Sequence, residues 1–126
     1  MFSVTGSVRN VVLVAPNGPI KISASSQTFN PYANVALPRQ GILMLSGVTY
    51  SGTEKCDKFA LAVSGGTNVW NGVMWAPGGL IDMSGSTNSA VNGTLLGWAV
   101  RFGGSDLIIR YDPSLFLGDP TVLLLQ

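Results

Sequence analysis

One phrase occurs twice in this chain. Val14-Ala15-Pro16-Asn17-Gly18-Pro19-Ile20-Lys21-Ile22-Ser23 returns as Trp75-Ala76-Pro77-Gly78-Gly79-Leu80-Ile81-Asp82-Met83-Ser84, so that Ala15 corresponds to Ala76 and Pro16 to Pro77, an offset of 61. Each copy reads as the end of one strand, a Pro/Gly corner, and a second strand with alternating side chains. A shorter period lies beneath it in the C-terminal half. Gly72-Val73-Met74 matches Gly93-Thr94-Leu95 at an offset of 21, and Leu80 to Gly85 matches Ala99 to Gly104 at 19. About twenty residues is a common length for one β-solenoid coil, so the long offset is expected to span about three coils.

No window of a dozen residues keeps apolar positions at spacings of three and four without a Gly or Pro, so long amphipathic helices are not expected. Short strands are expected at Ser7–Ala15, Ile20–Ser23, Gly41–Ser46, Phe59–Val63, Asn68–Ala76, Leu80–Ser84, Gly93–Leu96, Trp98–Phe102 and Leu107–Tyr111. The pattern predicts an all-β chain, a right-handed parallel β-helix (β-solenoid) of about five short coils, forming a single domain over residues 1–126. Ser25 to Gln40 breaks the rhythm with aromatics, amides and prolines, and is expected to project as a loop. Residues 113–126 leave the stack through a Pro turn and form a C-terminal cap or tail, with Val122 to Leu125 packing down. Stacked coils bring equivalent residues ~4.8 Å apart. Asp82 is therefore expected beside Arg101 as an inter-coil ion pair that helps fix register. A solenoid also leaves unpaired strands at its ends, and uncapped ends invite stacking.

Composition narrows the partners. Charged residues make up only 10% of the chain, while 46% are apolar and 16 are Gly, so uncharged polar groups supply most of the polar surface. The seven basic residues are scattered and the net charge is +1, which excludes the basic stripe that nucleic-acid binding requires. Glu54-Lys55-Cys56-Asp57-Lys58 is dense in charge but mixed in sign, and reads as a solvated loop. Cys56 is the sole cysteine and there is no histidine, so neither an intrachain disulfide nor a Cys/His nucleophile pair is available. The longest apolar runs fall far short of the ~20 residues that cross a bilayer. Met1 to Gly6 carries no signal-peptide pattern.

The carboxylates that a polysaccharide-cleaving β-helix would need are Asp82, Asp106 and Asp112, with Arg101 and Arg110 as basic partners. Asp106 follows Gly103-Gly104-Ser105 and reads as a turn residue, and Asp112 precedes Pro113 as a strand terminator. Asp82, Ser84, Ser86 and Asn88 supply oxygens, either toward calcium or as an Asn/Ser ladder along the stack; with one charge among them the ladder is the expectation. No catalytic residue, metal or cofactor is assigned. Of the tryptophans, Trp70 is expected to be exposed because Asn68 and Asn71 flank it, and burial is expected for two of the three. Phe29 and Tyr32 in the expected loop, together with Trp70, are the candidate contact residues.

The coil pattern also carries a resemblance. Gly41-Ile42-Leu43-Met44-Leu45-Ser46, Gly72 to Gly85, Gly93-Thr94-Leu95-Leu96, Phe102-Gly103-Gly104-Ser105 and Ile109-Arg110-Tyr111-Asp112 resemble the β-helical C-terminal regions of bacterial pilus-assembly-related and surface-anchored proteins. The likeness covers roughly Val11 to Phe116, with Trp75 at a position usually held by Tyr. It implies a non-enzymatic, extracellular or cell-surface module that self-associates or joins other surface-assembly subunits, with a glycan as a further candidate partner. A carbohydrate-binding or carbohydrate-cleaving β-helix and a virion or phage fibre component share the same building logic.

Overall fold

Runs of three to six mostly aliphatic residues, cut by Gly, Asn and Pro, have no room for a helix and form strands instead. A computed structural model describes residues 2–3, 8–31, 41–85, 88–104 and 106–110. Its elements are β1 (Phe2–Ser3), β2 (Val8–Val11), β3 (Leu13–Ala15), β4 (Ile20–Ser23), β5 (Thr28–Pro31), β6 (Ile42–Ser46), α1 (Glu54–Asp57), β7 (Phe59–Ser64), β8 (Val69–Gly85), β9 (Ala90–Gly104) and β10 (Ile108–Arg110). These strands form one curled sheet, and every pairing among the described residues is parallel. The chain is thus all-β and partly solenoid-like.

The strands fall into three columns. In the first, β2, β5, the start of β8, the start of β9 and β10 pair in turn. The second holds β3, β6 and the middles of β8 and β9. In the third, β1, β4, β7 and the ends of β8 and β9 pair. Strands β8 and β9 run through all three columns, bending at the corners between them, so segments expected as separate strands are continuous.

These registers explain the repeated phrase and correct its length. Val14 pairs with Leu45, and Leu45 with Trp75. Ile20 pairs with Leu61, and Leu61 with Ile81. The long offset therefore covers two steps of the ladder, not about three. The pass between the two copies is lengthened by the residues separating β5 from β6 and β6 from β7. The shorter period holds as expected: Gly72 pairs with Gly93, Leu80 with Ala99, and Asp82 with Arg101.

Side chains pointing to one face of successive strands make buried rows. Leu61 and Ile81 form one row, Ile22, Val63 and Met83 another, and Phe29, Trp70 and Val91 a third; all are at most 3% exposed. The Phe29 and Trp70 rings stack at 4.2 Å between centroids and 8° between planes. Such a pair contributes about 0.5–1.5 kcal/mol beyond the area it buries. This overturns part of the projecting loop expected over 25–40: Thr28–Pro31 is strand β5, buried through Phe29. Residues 32–40 of that segment lie outside the described residues, as does the tail at 113–126. A short helix, α1, occupies the segment read as a charged loop.

The corners repeat as faithfully as the strands. Ser26, Thr67, Asn88 and Asp106 all have φ between 56° and 62°, and each stands two residues ahead of one of the stacked residues Thr28, Val69, Ala90 and Ile108. One left-handed turn is thus reused at four successive passages into the first column, and Asn and Asp tolerate it best. At the next corner Gly72 and Gly93 stack with φ of 124° and 154°, and a Cβ on Gly93 would stand 2.0 Å from the Gly72 carbonyl oxygen. Gly93→Ala should cost about 1–3 kcal/mol from backbone strain alone, whereas Gly103→Ala, with open space at the Cβ, should stay within about 0.5 kcal/mol. Urea midpoints of the two variants check this; equal losses would contradict the stacked corner.

Candidate functional site

Two of the three residues expected to face a partner do not reach the surface. Phe29 is fully buried and Trp70 is 2% exposed, each covering the other's ring. The asparagines beside Trp70 mark a corner, not exposure. Asn71 donates from Nδ2 to Asn30 Oδ1 at 2.9 Å, and Asn92 donates to Asn71 Oδ1 at 2.9 Å, giving an amide ladder along the stack. Asn68 is buried and clamps neighbouring passes: its Nδ2 donates to the Ala24 carbonyl at 2.8 Å, and its Oδ1 accepts from the Gln27 N–H at 3.1 Å. The amide ladder observed is thus Asn30, Asn71 and Asn92; of the residues expected to form one, Ser84 Oγ donates to the Val63 carbonyl at 3.5 Å, Asn88 occupies the left-handed turn, and Ser86 lies outside the described residues. Tyr32 lies outside the described residues.

The exposed indole is Trp98, at 58%, while Trp75 is half-buried. Trp98 sits on β9 beside the segment that carries α1. That segment is tied down by the Tyr50 hydroxyl, which donates to the Phe59 carbonyl at 3.1 Å, and by the Tyr50 N–H, which donates to the Gly78 carbonyl at 3.1 Å. The anchored helix sets Lys55 Nζ over the Trp98 ring, 4.2 Å from its centroid. Lys58 bonds back to Glu54 at 3.0 Å across one helical turn. Further along β9 from Trp98, Arg101 Nη2 donates to Asp82 Oδ2 at 2.5 Å, the inter-coil pair that the sequence period places there. The hydrogen bond that Arg101 donates to Asp82 and then the Asp82 charge hold the guanidinium above its ordinary pKa, with Asp57 adding to the field. The result is a mixed aromatic and charged corner in which Lys58 and Arg101 are paired with carboxylates and Lys55 with the Trp98 ring.

Among the described residues, the candidate carboxylates Asp82 and Asp106 have separate settings. Asp82 is engaged by Arg101, Asp106 occupies the left-handed turn, and Asp112 lies outside the described residues. Among the described residues no group of three or more His, Cys, Asp or Glu side chains is placed to hold a metal. Cys56 is exposed on α1. The gap lined by Val63, Trp70, Met83, Ser84, Ser89 and Leu107 has room for about one water molecule.

The other notable surface is the end of the stack. Rows buried in the preceding passes emerge at β9 and β10: Val100 is 37% exposed, Phe102 51% and Ile109 46%. Their row neighbours one step earlier, Ile81, Met83 and Val91, are 0%, 2% and 0% exposed. The chemistry is unchanged along each row; what changes is that nothing among the described residues covers the last member. Sequence reasoning anticipated unpaired coil ends in general, and the alternation of Val100 and Phe102 with Arg101 was the signal that these side chains belong to the inner rows.

Comparison with protein-family models, with curated proteins and with solved structures finds no match.

Removing an indole separates the two kinds of tryptophan. Trp70→Ala should cost about 3–5 kcal/mol, and Trp98→Ala much less, about 1 kcal/mol for a lost exposed cation–π contact. Denaturant melts of both variants test this, and a reversed order would contradict the buried setting of Trp70 and the exposed setting of Trp98.

Proposed function

We propose that this chain is a non-enzymatic structural or adhesive module of a bacterial surface, pilus-like or filament assembly, acting outside the cell and associating through the ends of its stack. In this reading the curled parallel sheet is a right-handed β-solenoid of about five short coils, which the ladder steps of about twenty residues support. The observation that carries the proposal is the end of the described stack, where Val100 and Phe102 on β9 and Ile109 on β10 stand uncovered by any described residue. An edge with unpaired N–H and C=O groups and an apolar inner face is a template for another strand of the same kind. The low charge leaves little repulsion between like ends, with a net charge of +1 over the chain. The bacterial-surface setting rests on the resemblance of the turn pattern described above. Charged groups engaged with one another at Asp82–Arg101 and Glu54–Lys58 support a role in construction over one in chemistry.

Sedimentation velocity across a wide concentration range, followed by negative-stain microscopy, tests the proposal. Mass that rises with concentration, with elongated particles one stack wide, is the expected result; a monomer at every concentration would remove the support for self-association.

A further inference from the structure

We propose that residues 47–58, which join β6 to β7, form a strap along the outside of the stack that holds the Ala99 to Gly104 part of β9 in register and so regulates the end of the stack. The regulation rests on the association reading above; the strap does not. The first observation is how far the segment reaches. Strands β6 and β7 pair with β8, and β8 with β9, so a residue between β6 and β7 belongs two ladder steps from β9. Lys55 Nζ nevertheless lies 4.2 Å from the centroid of the Trp98 ring, and Asp57 adds to the field at Arg101. Ladder hydrogen bonds join only neighbouring passes, whereas α1 ties one pass to the next but one.

The pass between them is shaped to let the strap across. The Tyr50 N–H donates to the Gly78 carbonyl at 3.1 Å and the Leu80 N–H to the Lys58 carbonyl at 3.4 Å, so both ends of the crossing are fastened to β8. Where the strap lies on β8 the corner is two glycines. A Cβ on Gly78 would stand 2.5 Å from the Val48 carbonyl oxygen, and one on Gly79 would stand 3.1 Å from the Tyr50 ring. Neither glycine has a left-handed φ, so the bare backbone serves the close approach and not the bend.

The part of β9 that the strap reaches is the part with least other support. Ala99 to Gly104 pair with β8 on one side, and among the described residues no strand pairs with them on the other. An edge of this kind opens at low cost unless something else holds it. A cation carried by a fastened helix over the indole of Trp98 supplies that second hold, which gives the exposed Trp98 a purpose without a ligand. With the strap engaged, β9 presents a fixed row of N–H and C=O groups to an incoming strand; with it released, the edge frays and the template is lost.

Hydrogen exchange read by mass spectrometry on the full chain, at the lowest workable concentration, tests the strap in Lys55→Ala and Lys55→Arg variants. No residue of α1 is buried, so both substitutions leave the core intact. Amides of residues 99–104 should exchange about two- to fivefold faster in Lys55→Ala, with residues 73–76 unchanged, while Lys55→Arg keeps a cation over the ring and stays as slow as the unsubstituted chain. Equal exchange over 99–104 in Lys55→Ala and the unsubstituted chain overturns the strap. Equal acceleration at 73–76 and 99–104 overturns it too, since that marks a general loss of stability. Sedimentation of the same proteins tests the regulation separately. Weaker assembly of Lys55→Ala supports it, and assembly as ready as that of the unsubstituted chain overturns it. An unsubstituted chain that stays monomeric overturns the association reading and the regulation together, and leaves the exchange result to decide the strap.

Discussion

Parallel hydrogen bonding between one pass of the chain and the next is the interaction on which the rest of this molecule depends. A parallel partner cannot be reached by a tight hairpin, since it needs a crossover of about a dozen residues or more. Each strand here accordingly finds its partner far along the chain, as Ile108 does with Ala90 and Ile20 with Leu61. Short strands such as β3 and β10, of three residues each, have no stability of their own. They persist because the same step repeats in three columns and buries the same rows.

That repetition passes the constraint from strands to corners. If one pass turns with a left-handed residue, the next must do so at the equivalent position or the register slips and the rows are exchanged between faces. Ser26, Thr67, Asn88 and Asp106 meet this requirement with four different side chains. What they share is the backbone angle, held in place by the tight neighbours above and below. Amides of Asn30, Asn71 and Asn92 satisfy one another along the outside of the next corner, so the stack needs few charges to keep its polar groups paired. The unusual composition of the chain follows from this way of building.

Legibility in the sequence tracked the regularity of the ladder. Between β8 and β9 no residues are inserted within the columns, and the offsets of 21 and 19 placed Gly72 against Gly93 and Asp82 against Arg101 as the structure has them. Around β6 the added residues stretch single steps, from Val14 to Leu45 and from Ile20 to Leu61, so the long repeat reads as three coils when it is two. Strand β5 was hidden because four residues, Thr28-Phe29-Asn30-Pro31, show too little alternation and carry turn formers. Phe29 is buried through its distant partner Trp70, which no local pattern reveals. The exposure of Trp98 was missed for a related reason: amide neighbours mark the corners where side chains bond along the stack, and Trp98 stands at a corner of β9 that no such neighbour flags.

A stack whose rows run uncovered at one end among the described residues is a building element first, and the proposed association follows from that end. It stands on the register of the ladder. Oxidative cross-linking in a Cys56→Ser background measures it most directly. Register partners on parallel strands lie ~4.8 Å apart, within the Cα range that a disulfide spans. The account predicts that Asp82→Cys/Arg101→Cys forms an intrachain disulfide readily, while Asp82→Cys/Val100→Cys, whose second thiol points to the opposite face, does not. Cross-linking of the second pair as efficiently as the first would contradict it.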